Sequence, residues 1–218
     1  MGSVHTRTPL RRATSLALLT ACAGGMDLLS IAVLGGVFSG IITGNLVHAG
    51  QNLGSGHWLV AATALAAVAA FGAGVWVWAR LLGPADRVNP RRESALLATE
   101  VALLTVFTTA WILLAGAPPH HTAATALLVL AAFCMGAQSA WARTTGTSTT
   151  DLTGTLTAAL AGWATGDPLR AHRAAVTRLS TLFVGALATM LVLLTWPWAA
   201  ALLPLGCALT ALALWRSP

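Results

Sequence analysis

The sequence predicts an all-α polytopic membrane protein, with six transmembrane helices as two inverted three-helix repeats, each with a short broken or re-entrant segment after its first helix. Three observations predict it. Of 218 residues, 56% are hydrophobic and only 8% charged, whereas a soluble domain carries about 25% charged residues. Apolar stretches of about 20 residues, enough to cross the hydrocarbon layer, recur six times. Two short motifs also recur in the same order in the two halves of the chain. The whole chain, 1–218, reads as one integral membrane domain, with 1–12 a cytoplasmic tail, repeat one over about 13–116 and repeat two over about 123–216.

The first span, 15–35, follows Arg7, Arg11 and Arg12. Its "LTAC" at Leu19–Cys22 is similar to a lipoprotein cleavage box, but the apolar run continues to Leu34, which favours a retained helix. After it comes "GGVFSGIITGNLVHAG", residues 35–50, apolar yet broken by glycines and dotted with hydroxyl and amide groups. Spans two and three are expected at 58–82 and 95–116, and span four at 123–142. The hydroxyl-rich "TTGTSTTDLTGTLT", Thr144–Thr157, follows span four, and its Asp151 is suited to cap a short helix starting near Leu152. Spans five and six are expected at 175–196 and 199–215. Cys22, Cys134 and Cys207 all fall inside spans without ligand spacing and read as small apolar fillers.

The net charge of +6 is carried by arginine alone, and its distribution gives topology rather than a nucleic-acid surface. Arginines precede span one, separate spans two and three (Arg80, Arg87, Arg91, Arg92), separate spans four and five (Arg143, Arg170, Arg173, Arg178) and end the chain at Arg216. With six spans these regions share one side, which the positive-inside rule makes cytoplasmic, with both termini inside. Trp58, Trp111, Trp196 and Trp198 are expected as interfacial rings outside, and Trp76, Trp78, Trp141 and Trp215 inside.

"AGGMDLLS", Ala23–Ser30, aligns with "CMGAQSAW", Cys134–Trp141, setting Gly25 on Gly136 and Asp27 on Gln138. One residue out of step, "ITGNL", Ile42–Leu46, aligns with "LTGTL", Leu152–Leu156. Three spans per half is an odd number, so the second half must enter the bilayer from the opposite side. Neither motif segment is long enough to cross and return. Irregular backbone at membrane depth needs protein or a wet cavity to satisfy it, so both segments are expected to dip inward and approach each other. The competing reading is that their small residues only let helices pack closely.

"GGMDLLSIAVLGGVFSGIITGNLV" and "CMGAQSAWARTTGTSTTDLTGTLT" resemble the two signature stretches of the YoaK-like bacterial membrane proteins, the DUF1275 or UPF0700 family. The resemblance implies a multi-pass protein of the bacterial cytoplasmic (inner) membrane. It sets Asp27, Thr43, Gly44, Asn45, Gln138, Arg143, Thr153 and Gly154 on recurring positions, and departs at Ser139, where the pattern has Asn. It brings no activity with it.

Asp27 is the sharpest candidate for chemistry, because an ionised Asp near the bilayer centre costs about 2.5–3.5 kcal/mol on insertion scales and needs a compensating partner or a proton. Gln138, its counterpart, offers donors and an acceptor without charge, and the pair is expected to grip one polar solute. Ser39, Thr43, Gly44, Asn45, Ser148, Thr150, Thr153, Gly154 and Thr155 complete the candidate substrate or ion site. Glu100 is a lesser candidate, expected within reach of the inner interface, where Arg143 is expected to snorkel as a topology anchor. His48, His57, His120 and His121 lack ligand spacing and read as solvated loop residues. No catalytic motif, metal or cofactor is expected, and no nucleic-acid partner. These features favour a small secondary transporter or permease, proton-coupled through Asp27, in contact with the lipid bilayer and an unidentified small solute. A membrane-embedded lipid-modifying enzyme and a non-catalytic scaffold are the alternatives. So short a chain makes a thin wall around a cavity, which points to a homodimer.

Overall fold

The structure, a computed structural model, describes residues 9–84, 89–146, 149–150 and 152–216. It is all-helical among these: α1 (Pro9–Val33), α2 (Ile42–Gly54), α3 (Trp58–Leu82), α4 (Pro90–Leu113), α5 (His121–Arg143), α6 (Thr153–Ala164), α7 (Arg173–Thr195) and α8 (Leu202–Arg216), with 3₁₀ turns at Leu169–His172 and Pro197–Ala199. Six segments are long and apolar enough to cross a membrane: α1, α3, α4, α5, α7, and α8 together with the turn before it. The short helices α2 and α6 follow α1 and α5, where the broken segments were expected. At 1.5 Å per residue, the 13 residues of α2 and the 12 of α6 extend only about 20 Å, less than the hydrocarbon layer.

Helix pairing is unchanged when the halves are exchanged. α1 packs on α7 and α8, as α5 packs on α3 and α4, while α1 meets α5 and α4 meets α8. The closest crossings also correspond. A methyl group on Gly24 would collide with the Leu182 carbonyl and one on Gly185 with that of Ala21; Gly136 meets the Phe71 carbonyl and Gly74 that of Phe133. Each glycine lies over the carbonyl three residues before its partner glycine. Such close contact replaces the hydrophobic effect, which cannot hold helices together in lipid. This packing sets Gly24 against Gly136, one residue from the sequence alignment. Gly25 instead gives room to Thr189 and Pro204.

Helix ends are fixed by polar contacts at both ends of the bundle. At one end, Ser15 near the start of α1 donates to the Ala211 carbonyl of α8 (3.2 Å), and Arg12 lies 5.9 Å from the Trp215 ring. Trp215 meets Trp141 edge-on at 4.7 Å, and the Trp141 indole N–H donates to the Glu93 carbonyl at the start of α4. Arg80, Arg143 and Arg216 occupy the last turns of α3, α5 and α8. At the other end the Trp111 indole donates to the Pro197 carbonyl (2.8 Å) and Thr108 to that of Ala201. This corrects the expectation for the tryptophans: Trp78, Trp111, Trp141 and Trp215 are buried between helices, whereas Trp58, Trp76, Trp163, Trp196 and Trp198 are exposed rings. Hydropathy and position along a span cannot tell which side of a helix a ring occupies.

Candidate functional site

The chain leaves α1 through Gly35 and Gly36, whose φ values of 103° and 75° suit glycine and turn the backbone inward. It then returns to the level of Asp27, which lies six residues, or about 9 Å, before the end of α1. There one Asp27 oxygen accepts from the Ser39 hydroxyl (3.0 Å) and from the Gly40 N–H (2.6 Å). Asp27 is 6% exposed and Ser39 fully buried. The carboxyl group thus takes the place of water for backbone that no sheet or helix satisfies, and the donors stabilise its charge.

Asn45 closes the same loop. Its amide N–H donates to the Phe38 carbonyl (2.7 Å) and its oxygen accepts from the Phe38 N–H (3.0 Å). The pair imitates a backbone ladder, pinning residues 38–41 to the first turns of α2. The N-caps of α2 and α6, Ile41 and Leu152, make no side-chain hydrogen bond among the described residues, and the Ile42 N–H that opens α2 donates to the Gly40 carbonyl (3.1 Å).

In the second half, the Gln138 amide donates to the Leu19 carbonyl and to the Thr149 hydroxyl, each at 3.0 Å, while its own oxygen is buried without a partner among the described residues. Arg12 in the first turn of α1 and Trp141 in the last turn of α5 both lie beside Trp215, so these two helices run antiparallel. The bond to Leu19 ties Gln138 to the middle of α1 and not to the level of Asp27, with which it was expected to hold one solute. Leu19 is eight residues, about 12 Å, from Asp27 along α1. A one-to-one sequence match ignores that antiparallel partners move apart on either side of their crossing.

What meets instead is the two loops. A β-carbon on Gly40 would lie 3.5 Å from the Thr150 methyl group. Around this contact is a cavity of about 320 Å³ lined by Gly40, Ile41, Ile42 and Thr43 from the first half and Ser139, Thr150, Leu152 and Thr153 from the second, walled by Phe71 and Leu182. These last two are the residues whose carbonyls touch Gly136 and Gly24, so the wall comes from corresponding positions of α3 and α7.

Of the expected site residues, Thr43, Thr150 and Thr153 line the cavity, and Asp27 and Ser39 join it through Gly40. Asn45 and Gln138 hold the loops in place. Gly44, Gly154 and Thr155 do not line the cavity, and Ser148 and Asp151 lie outside the described residues. Sequence reasoning missed Gly40, Ile41, Ile42, Phe71, Ser139, Leu152 and Leu182. Ser139 was legible as the one departure inside a signature stretch, whereas Phe71 and Leu182 sit in uninterrupted apolar runs that give no signal. Glu100 is also corrected: it is fully buried inside the bundle, not near an interface. Among the described residues no group of three His, Cys, Asp or Glu side chains is arranged to hold a metal ion.

Residues 15–215 match the model of a family described as "Protein of unknown function (DUF1275)". The chain is 33% identical over 153 residues to the "UPF0700 transmembrane protein YoaK" of Bacillus subtilis (strain 168), a match covering 68% of this chain and 66% of that relative, just under two thirds of its length. No solved structure matches the chain.

Proposed function

The chain belongs to the DUF1275 family and carries six membrane-spanning helices, and from that premise we propose that it is a small secondary transporter for a small polar solute, not an enzyme. The observation that carries this reading is the shared cavity. It is built from corresponding pieces of two halves whose first helices are antiparallel, beside a buried carboxyl group. That is the arrangement of transporters made from inverted repeats, where interrupted helices of the two halves meet around the solute. At about 320 Å³ the cavity is at the small end of ligand pockets, which run from about 300 to 1,000 Å³, and it admits a solute of few heavy atoms. Thr43, Ser139, Thr150 and Thr153 bring hydroxyl groups to its lining.

Asp27 is the coupling group of this reading. When ionised, it holds residues 39 and 40 against α1 by two charge-assisted hydrogen bonds. A proton on the carboxyl weakens both bonds and releases Gly40 from its place against Thr150. Protonation at α1 thereby changes the wall shared with the second half. The arginine-bearing end faces the cytoplasm of a bacterial inner membrane by the positive-inside rule, with both termini on that side.

Access decides the matter without knowledge of the solute. Single cysteines replace Thr43, Thr150 and Thr153 in a background lacking Cys22, Cys134 and Cys207, in right-side-out and inverted vesicles. A membrane-impermeant thiol reagent is expected to label each position from both sides, which two alternating openings require. Labelling from neither side refutes the proposal.

A further inference from the structure

We propose that Glu100 is a second proton-binding site, in the core where α1, α4, α5 and α8 meet, and that it carries its proton at neutral pH. It rests on geometry alone. Glu100 is the eleventh residue of α4, about 15 Å from the start of the helix and about 20 Å from its end, and is 0% exposed. Neither carboxyl oxygen has a hydrogen-bond partner among the described residues. Its own helix surrounds it with buried Leu96, Leu97, Val101 and Leu104.

The titratable side chains that α1, α5 and α8 bring to this core are thiols: Cys22 and Cys134 are fully buried, and Cys207 is partly buried against them. The charged side chains of the packed helices are at their ends or already engaged: Arg11 and Arg12 in the first turn of α1, Arg91, Arg92 and Glu93 in that of α4, Arg143 and Arg216 in the last turns of α5 and α8, and Asp27 bound to the loop after α1. Among the described residues nothing here compensates a negative charge. An ionised, unpaired carboxylate in an apolar interior neutralises itself by taking up a proton. Unlike Asp27, which is held by two donors, Glu100 is bare, so its proton leaves only when water enters the junction and α4 moves relative to α1, α5 and α8. The proposal is independent of the Asp27 cavity and stands whether or not a solute passes there.

The sequence permits a test without mutation, because Glu93 and Glu100 are its only glutamates. Glu93 is half-buried near the start of α4, where its carboxylate accepts from the Thr144 hydroxyl. Infrared spectra are compared for the full chain in lipid vesicles at pH 7, unlabelled and grown on side-chain ¹³C-glutamate. A solvated glutamic acid, with a pKa near 4.3, is about 500-fold more ionised than protonated at that pH. The expected result is a protonated-carboxyl C=O band, equal to about one group per chain, that moves on labelling. A label that moves only carboxylate bands overturns the proposal. In the variants, Glu100→Gln is expected to remove the band and Asp27→Asn to leave it; a band that survives Glu100→Gln also overturns the proposal. If Glu100→Gln does not fold, the labelled wild-type protein decides alone.

Discussion

Replacing Asn45 with Ala separates a structural from an incidental role for the first broken segment. The amide makes two hydrogen bonds to one backbone unit, donating to the Phe38 carbonyl at 2.7 Å and accepting from its N–H at 3.0 Å. Asn45 itself is fully buried, so water does not replace the lost amide. Side-chain hydrogen bonds inside membrane proteins average about 0.6 kcal/mol, which sets a floor of about 1.2 kcal/mol for two. An unsatisfied buried backbone group costs about 1–3 kcal/mol; Phe38 is half-buried, so the lower end applies to each of its two groups. Together these put the destabilisation at about 2 kcal/mol. The corresponding residue of the second half, Thr155, makes no comparable bond among the described residues of its loop, and Thr155→Ala is expected to change stability by under about 0.5 kcal/mol, as surface-like substitutions do. Both are measured by reversible unfolding in mixed micelles titrated with denaturing detergent. An Asn45→Ala variant within about 0.5 kcal/mol of wild type would refute the reasoning, because the loop would then be held by something other than this amide.

Two further predictions follow from the same geometry. Gly136→Ala forces a methyl group onto the Phe71 carbonyl at the α3–α5 crossing and is expected to destabilise by about 1–3 kcal/mol, whereas Gly154→Ala, with nothing within 4 Å of the added carbon, is expected to stabilise α6 by up to about 1 kcal/mol in the same unfolding assay. Asp27→Asn keeps the size of the side chain and removes its ionisation; in vesicles containing a pH-sensitive dye, proton movement driven by a panel of small polar solutes is expected to vanish while the helical circular dichroism is unchanged. Persistent proton movement in that variant would remove Asp27 from the coupling role.

The family signature stretches made the site partly legible beforehand. Asp27, Ser39, Asn45 and Thr43 are polar residues in a setting where each polar group must be satisfied, so their presence alone marked the loop. Phe71 and Leu182 carried no such mark, since an apolar residue lining a cavity and one facing lipid are written alike. Glu100 was misjudged because the apolar run begins at residue 95, whereas the helix begins at Pro90 and carries Glu100 deeper into the bundle.

What the sequence by itself determined was the solvent, the number of crossings and the repetition of a motif. These depend on composition and spacing along one chain, which lipid reads one segment at a time. Only the tertiary structure decided that Gly24 rather than Gly25 corresponds to Gly136, that Gln138 bonds to Leu19 and not toward Asp27, and that Gly40 and Thr150 line one cavity. Those facts depend on helix rotation and crossing geometry, fixed by contacts between residues far apart in the sequence.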